Sequence, residues 1–159
     1  MTKSKRVVKN MNIETKFLGN YDITDHPIIT FPKGLPAFED EQQFVVLPFD
    51  EGTPFYVLQS VNTVDIAFIM TDPFEFFSDY KVKLPEATIE QLEIDKEDDI
   101  AIFTLLTVQE PFTDTTTNLQ APIIINAKAK RGEQLILLQD NYQTKHYLFP
   151  QEAKAGEAK

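Results

Sequence analysis

The sequence predicts an all-β domain, a sandwich or a barrel with short helices, and three observations predict it. Short runs of β-branched and aromatic residues recur along the chain, separated by turn signals at a spacing of roughly 8–12 residues. Several of these runs, notably Ile100–Val108 and Leu135–Leu138, are apolar at successive positions instead of alternating. Both faces of such a strand need cover, one from an interior and the other from helices, loops or a partner. Helical signals are confined to brief stretches, the clearest being Pro85 to Leu92.

Taken in order, Asn12 to Phe17 alternates around Ile13, Thr15 and Phe17 and reads as a half-buried strand. Gly19-Asn20 reads as a tight turn into Tyr21–Ile23, which completes a first hairpin. Pro27 to Phe31 is a third strand. Phe31–Phe38 holds two prolines and a glycine, which excludes a regular helix or central strand, so its aromatics and leucine tuck inward or face a partner. Glu39–Gln43 is polar and reads as one helical turn. Phe44–Phe49 and Pro54–Val61 are strands joined by a glycine-containing connection, and Asp65–Thr71 follows as another. Asp72-Pro73 turns the chain into an aromatic segment, Phe74, Phe76, Phe77 and Tyr80.

Pro85 suits a first helical position, Glu86 and Glu90 favour the helix's N-terminal half, and Ile89 with Leu92 gives an apolar stripe. Two turns of helix cannot stand alone. Asp95–Asp99 is a charged, solvated loop, and Ile100–Val108 is the expected central strand. Thr115–Asn126 begins as a polar β-branched run, breaks at Gln120–Pro122 and resumes as three isoleucines. It reads as two short strands with a kink, because Pro122 cannot donate to a ladder. Lys128–Arg131 with Gly132 makes a basic turn between Ile123–Ala127 and Gln134–Leu138, and Tyr147–Phe149 docks a final segment.

At 159 residues the chain fits one domain with one core. It has no cysteine, which excludes disulfides and thiolate metal sites and suits a reducing cytosol. No apolar run is long enough to span a bilayer, and the N-terminus lacks the apolar stretch of a secretory signal. Charge is uneven. Residues 1–11 carry four basic and no acidic side chains, whereas from Glu39 to Asp114 there are 18 acidic residues against only Lys81, Lys83 and Lys96. A field of that sign repels phosphate and attracts a basic partner, so direct nucleic-acid binding by the main body is not expected. Acidity also aids solubility.

Reactive motifs are missing. Two histidines, His26 and His146, without cysteine or a His-x-x-x-His pair make no catalytic zinc site. The five glycines form neither a dinucleotide nor a P-loop signature. Ser60 and Ser78 have no neighbouring base, and Asp95–Asp99 lacks the glycine and terminal glutamate of an EF-hand. No cofactor, metal or catalytic residue is expected. The alternative kept open is a carbohydrate- or ligand-binding barrel using carboxylate pairs, with Tyr56, Tyr80 or Phe77 as stacking platforms.

Three blocks carry a resemblance: Phe31-Pro32-Lys33-Gly34-Leu35-Pro36-Ala37-Phe38, then Asp72-Pro73-Phe74-Glu75-Phe76-Phe77-Ser78-Asp79-Tyr80, then Asn118-Leu119-Gln120-Ala121-Pro122-Ile123-Ile124-Ile125-Asn126. In that order, and with the flanking strands from Met11 to about Pro150, the chain resembles the FliW family of flagellar assembly factors. The resemblance implies a single antiparallel, barrel-like β domain with short helices over residues 11–150. Residues 1–10 are then a disordered basic leader upstream of Met11, where the family usually begins, and residues 151–159 a flexible tail. It further implies a cytoplasmic, non-enzymatic regulator whose partners are flagellin and the RNA-binding translational repressor CsrA, with no membrane and no direct nucleic-acid contact. The residues expected to receive flagellin are Phe31, Pro32, Leu35, Pro36, Phe38, Asp72, Phe74, Phe77, Asn118, Pro122, Ile124 and Asn126. Those expected to form an electrostatic partner surface are Glu39, Asp40, Glu41, Asp95, Glu97, Asp98 and Asp99.

Overall fold

The computed structural model describes residues 11–138 and 141–151. The expected leader at 1–10 and the tail from residue 152 lie outside the described residues.

A meander of β4 (Gln43–Pro48), β5 (Phe55–Ser60) and β6 (Ala67–Thr71) is the frame, paired antiparallel through Val46↔Leu58 and Leu58↔Phe68. The pleat sends alternate side chains to opposite faces. Phe44, Leu58 and Met70 therefore enter one buried cluster, while Val45 and Leu47 enter another. Next comes β7 (Ile100–Thr107), bonded to β6 at Met70↔Leu105 and Thr71↔Thr104. Its first half pairs with β9 (Ile123–Asn126), from Ile100↔Asn126 to Phe103↔Ile123. Beyond β9 lie β10 (Arg131–Gln134) and β3 (Ile29–Thr30), and β3 returns to β4 at Ile29↔Phe44. That circuit closes a seven-stranded barrel, antiparallel except at the single β10–β3 bridge Arg131↔Thr30, which is parallel. Short strands β8 (Thr116–Thr117) and β11 (His146–Tyr147) extend the sheet from the far end of β7.

Three apolar clusters explain the double cover that the uninterrupted apolar runs demand. Phe31, Phe44, Leu58, Met70, Ile123 and Ile125 fill the barrel. Outside it, the hairpin of β1 (Asn12–Thr15) and β2 (Gly19–Asp22) packs Ile13, Leu18 and Tyr21 over Val45 and Leu47. On the opposite side, α1 (Glu86–Gln91) and its flanks bring Val82, Leu84, Leu92 and Ile94 onto Ile100, Ile102 and Ile124.

The structure moves several expected boundaries. The first hairpin turns at Lys16–Leu18, not at Gly19-Asn20. The Thr15 hydroxyl donates to the Gly19 carbonyl (2.8 Å) and accepts from the Leu18 amide (2.8 Å), and Gly19, at φ +69°, is already the first residue of β2. This is a three-residue loop followed by a left-handed glycine, and it leaves Phe17 exposed in the turn. Of Pro27–Phe31 only Ile29–Thr30 pairs. Glu39–Gln43 is not helical: Glu41 N–H donates to Phe38 C=O (3.0 Å) in a tight turn and Gln43 already belongs to β4. Pro85 caps α1 from outside instead of starting it, and Glu97–Asp99 within the charged loop winds into a 3-10 turn.

The last expected strand is displaced toward the N-terminus. It occupies Arg131–Gln134, and beyond it Leu135 N–H and Leu137 N–H donate to Pro122 and Gln120 carbonyls (2.9 and 2.7 Å). Leu135 and Leu137 are buried, but Ile136 and Leu138 are 53% and 92% exposed, so this run has one covered face and not two.

Candidate functional site

Where β6 leaves β7, the barrel wall opens. The Asp72 carboxylate accepts from Phe74 N–H (3.0 Å) and caps the 3-10 turn Pro73–Glu75, which pulls the chain out of the sheet after Thr71. The chain then crosses through Lys81–Leu84, which belongs to no helix or strand, into α1. Between that segment and Ile100–Phe103 of β7 lies an open cavity of about 1010 Å³. Its floor is apolar: Ile100, Ile102 and Phe103 from β7, Tyr56 from β5, Val82, Leu84, Ile89 and Ile94 from the α1 side. Tyr56 and Phe103 meet edge to face at 5.1 Å. Asp72 and Phe74 stand at one part of the rim, and Lys81, Lys83, Asp95, Lys96 and Glu97 complete it. All three lysines of the acidic stretch 39–114 thus meet at one groove.

Tyrosines hold the outer wall. Tyr80 O–H donates to Leu119 C=O (2.7 Å), and Lys81 N–H donates to the Tyr142 hydroxyl (3.0 Å). Burial, with Tyr142 alongside, pushes the Tyr80 phenol well above its ordinary pKa, so it remains a neutral donor. As a buried residue it cannot be a stacking platform for a sugar. His146 Nε2 accepts from Gln143 N–H (2.8 Å), and Gln143 C=O in turn accepts from the Leu119 and Gln120 amides (both 3.2 Å). Burial lowers the His146 pKa. A histidine whose pKa is depressed on folding contributes stability above its unfolded value, and that contribution is lost as pH falls through the folded one. Lowering pH from 7.5 to about 5 is therefore expected to reduce the melting temperature more in the unaltered chain than in His146→Gln. Equal pH dependence of the two melting curves would refute this.

The expected flagellin-binding residues do not converge on one surface. Phe31, Leu35, Pro122, Ile124 and Asn126 are buried. Asn118 and Asn126 are turn-formers: Asn118 Oδ1 accepts from the Gln120 and Ala121 amides (3.0 and 3.1 Å), and Asn126 Oδ1 from Lys128 and Ala129 (3.1 and 3.3 Å). Pro32 and Phe77 are half-buried, the latter edge-on to His146. Pro36, Phe38 (36% exposed) and Phe74 (42% exposed) present themselves to solvent, and Phe38 leans on Phe68 at 5.6 Å. Only Asp72 and Phe74 of that set line the large groove. Pro36 lines a smaller cavity of about 330 Å³ instead, with Glu39, Gln91 and Glu133.

The acidic set divides likewise. Glu39, Asp40, Asp95, Glu97 and Asp98 are exposed, while Asp99 is half-buried. Glu41 is engaged: its two oxygens accept from Ser60 Oγ (2.6 Å) and Thr63 Oγ1 (2.7 Å), bonds that hold its carboxyl below the usual range. Sequence reasoning missed Lys81–Leu84, Ile100 and Ile102 as a site. The signal was present as the alternation Lys81-Val82-Lys83-Leu84, whose lysines are exposed and whose apolar pair is half-buried.

The fold defines a small closed β-barrel domain with a lateral, apolar-floored groove. Comparison with known proteins is specific. The family described as FliW protein matches residues 12–148, and the chain belongs to that family. It is 51% identical over 141 residues to a flagellar assembly factor FliW of Geobacillus sp. (strain WCH70), covering 89% of this chain and 97% of the relative. The Bacillus subtilis (strain 168) protein of the same name is 46% identical over 136 residues, covering 86% and 95%. A crystal structure of the flagellar assembly factor FliW superposes with a TM-score of 0.82 at 47% identity, covering 88% of this chain and 98% of that one.

Proposed function

We propose that this FliW-family chain works in the cytoplasm without catalysis, choosing between two protein partners. Its groove receives an apolar segment of newly made flagellin, and its acidic surface engages CsrA. Free flagellin then draws the chain away from CsrA, which is left to repress flagellin synthesis. Scarcity of flagellin reverses the balance. The observation that carries this reading is the apolar floor of the groove, set in a chain of net charge −10. Apolar grooves take up amphipathic segments, and an acidic body attracts a basic RNA-binding protein while excluding the RNA phosphates. No helix among the described residues is long and apolar enough to cross a membrane.

Phe74 and Ala101 are exposed and line the groove; Ala101 can be changed with little cost to the fold, whereas the Phe74 ring also meets that of Tyr80 at 5.7 Å. Phe74→Ala and Ala101→Arg are each expected to weaken flagellin capture by about tenfold or more, with melting temperature unchanged in Ala101→Arg and slightly lowered in Phe74→Ala by the lost Tyr80 contact. Binding by both variants at the unaltered level would remove the groove from the account. CsrA affinity is expected to fall as ionic strength rises, and indifference to salt would overturn the electrostatic part.

A further inference from the structure

We infer that the occupant of the groove docks as an added β-strand, an extended segment with apolar residues at alternate positions and carboxylates between them. This rests on the reading of the groove as a partner site. Along β7, pairing with β6 stops at Thr71↔Thr104, because Asp72 turns the chain away and Pro73 has no N–H to offer. Ile100–Phe103 remains bonded to β9 on one side only. In an antiparallel strand every second residue directs its N–H and C=O to the other side; the Ile100 N–H is taken by the Glu97 carbonyl, and the groups that remain on that side of 101–103 present a short open edge to the groove. Facing it is a second unpaired backbone. Among the described residues, Val82, Lys83 and Leu84 make no backbone hydrogen bond, and the segment alternates exposed with half-buried side chains, the pattern a strand edge would show.

A strand laid between these walls would find partners on both sides, over a length of about three residues each, or about 10 Å. Open edges are ordinarily guarded by charge, and here the guard indicates the occupant. Lys81 and Lys83 stand two residues apart on one wall, in step with alternate residues of a neighbouring strand, and neither pairs with a carboxylate among the described residues. Asp72 is occupied in its cap, and Lys96 sits between Asp95 and Glu97. Carboxylates spaced two apart on the incoming strand would meet Lys81 and Lys83 as cross-strand pairs.

The test titrates the full chain with a capped peptide of about seven residues alternating valine with glutamate. Two relatives serve as comparison, one with lysine for glutamate and one N-methylated at alternate residues. Net charge −10 would draw the lysine peptide from afar, so preference for glutamate isolates the local wall. The expected result is a Kd below about 1 mM for the glutamate peptide, about fivefold tighter than the lysine peptide, with amide resonances of 82–84 and 101–103 moving. N-methylation is expected to weaken binding at least tenfold, and Lys83→Glu to reverse the charge preference. Equal binding of the N-methylated peptide, preference for lysine, or no binding at 1 mM would each overturn the inference. Flagellin separates the two readings. Its binding, lost in Phe74→Ala, without exchange protection at 101–103 overturns the strand. Peptide binding that flagellin fails to displace leaves the strand site standing and removes flagellin as its occupant.

Discussion

Asn126→Leu, which keeps the branching of the side chain but enlarges it and removes every hydrogen bond, is expected to destabilise the chain by about 3 kcal/mol or more. Asn126 is buried at the end of β9 and uses its whole amide. Its Nδ2 donates to the Leu92 and Glu93 carbonyls (2.8 and 3.1 Å), and its Oδ1 accepts from the Lys128 and Ala129 amides. The first pair satisfies carbonyls at the C-terminal end of α1, which a helix leaves unpaired, and the second closes the turn into β10. Leucine supplies neither, so the buried Leu92 carbonyl loses its partner. A six-residue helix has no stability of its own. Its anchors to the barrel include Asn126, Arg131 Nε donating to Gln91 C=O (2.7 Å), Thr88 Oγ1 donating to the Glu133 carboxylate (3.4 Å), and the apolar contacts of Leu92. Because Ile89 of α1 lines the groove, the same variant is expected to weaken the flagellin capture proposed above as well. Urea denaturation measures the first effect, and a loss under about 1 kcal/mol would show that the amide is dispensable.

This residue also shows what the sequence could convey. The strands of the meander were legible because Phe44–Leu47 and Phe55–Gln59 contain long β-branched and aromatic runs between turn signals. The kink at Gln120–Pro122 was legible because proline cannot join a ladder. The shift of the first turn to Lys16–Leu18 was not, since it depends on a threonine side chain closing the loop ahead of a left-handed glycine. For the site, the family motifs identified the chain but pointed at its supports. Phe31, Leu35, Ile124 and Asn126 shape the barrel and α1 from beneath, so they carry the resemblance without forming the surface. The groove arises where β6 departs from β7 and a segment some ten residues away in sequence returns alongside. That juxtaposition is tertiary. Local periodicity does not encode it, although the exposed lysine pair at 81 and 83 was its trace.

Gly34→Val is expected to be more disruptive than any exposed substitution, with a loss above about 3 kcal/mol or failure to accumulate as soluble protein. Gly34 has φ +65°, and a Cβ there would lie 2.5 Å from the Glu39 carbonyl oxygen and 2.6 Å from the Glu39 Cα. Both contacts are with backbone, which has no rotamer by which to yield. The loop would have to open, and it is the same loop that delivers Phe31 and Leu35 to the barrel core, pinned by Gly34 N–H to Phe31 C=O (2.8 Å) and the Leu35–Phe38 bridge. Ala37, in the same loop at φ 73°, provides the control of opposite sign. Its side chain is exposed, and alanine bears the left-handed penalty that glycine escapes. Ala37→Gly is therefore expected to be neutral or to stabilise by up to about 1 kcal/mol. If both variants lowered the melting temperature alike, loop flexibility would be the controlling factor and the close approach to Glu39 would not.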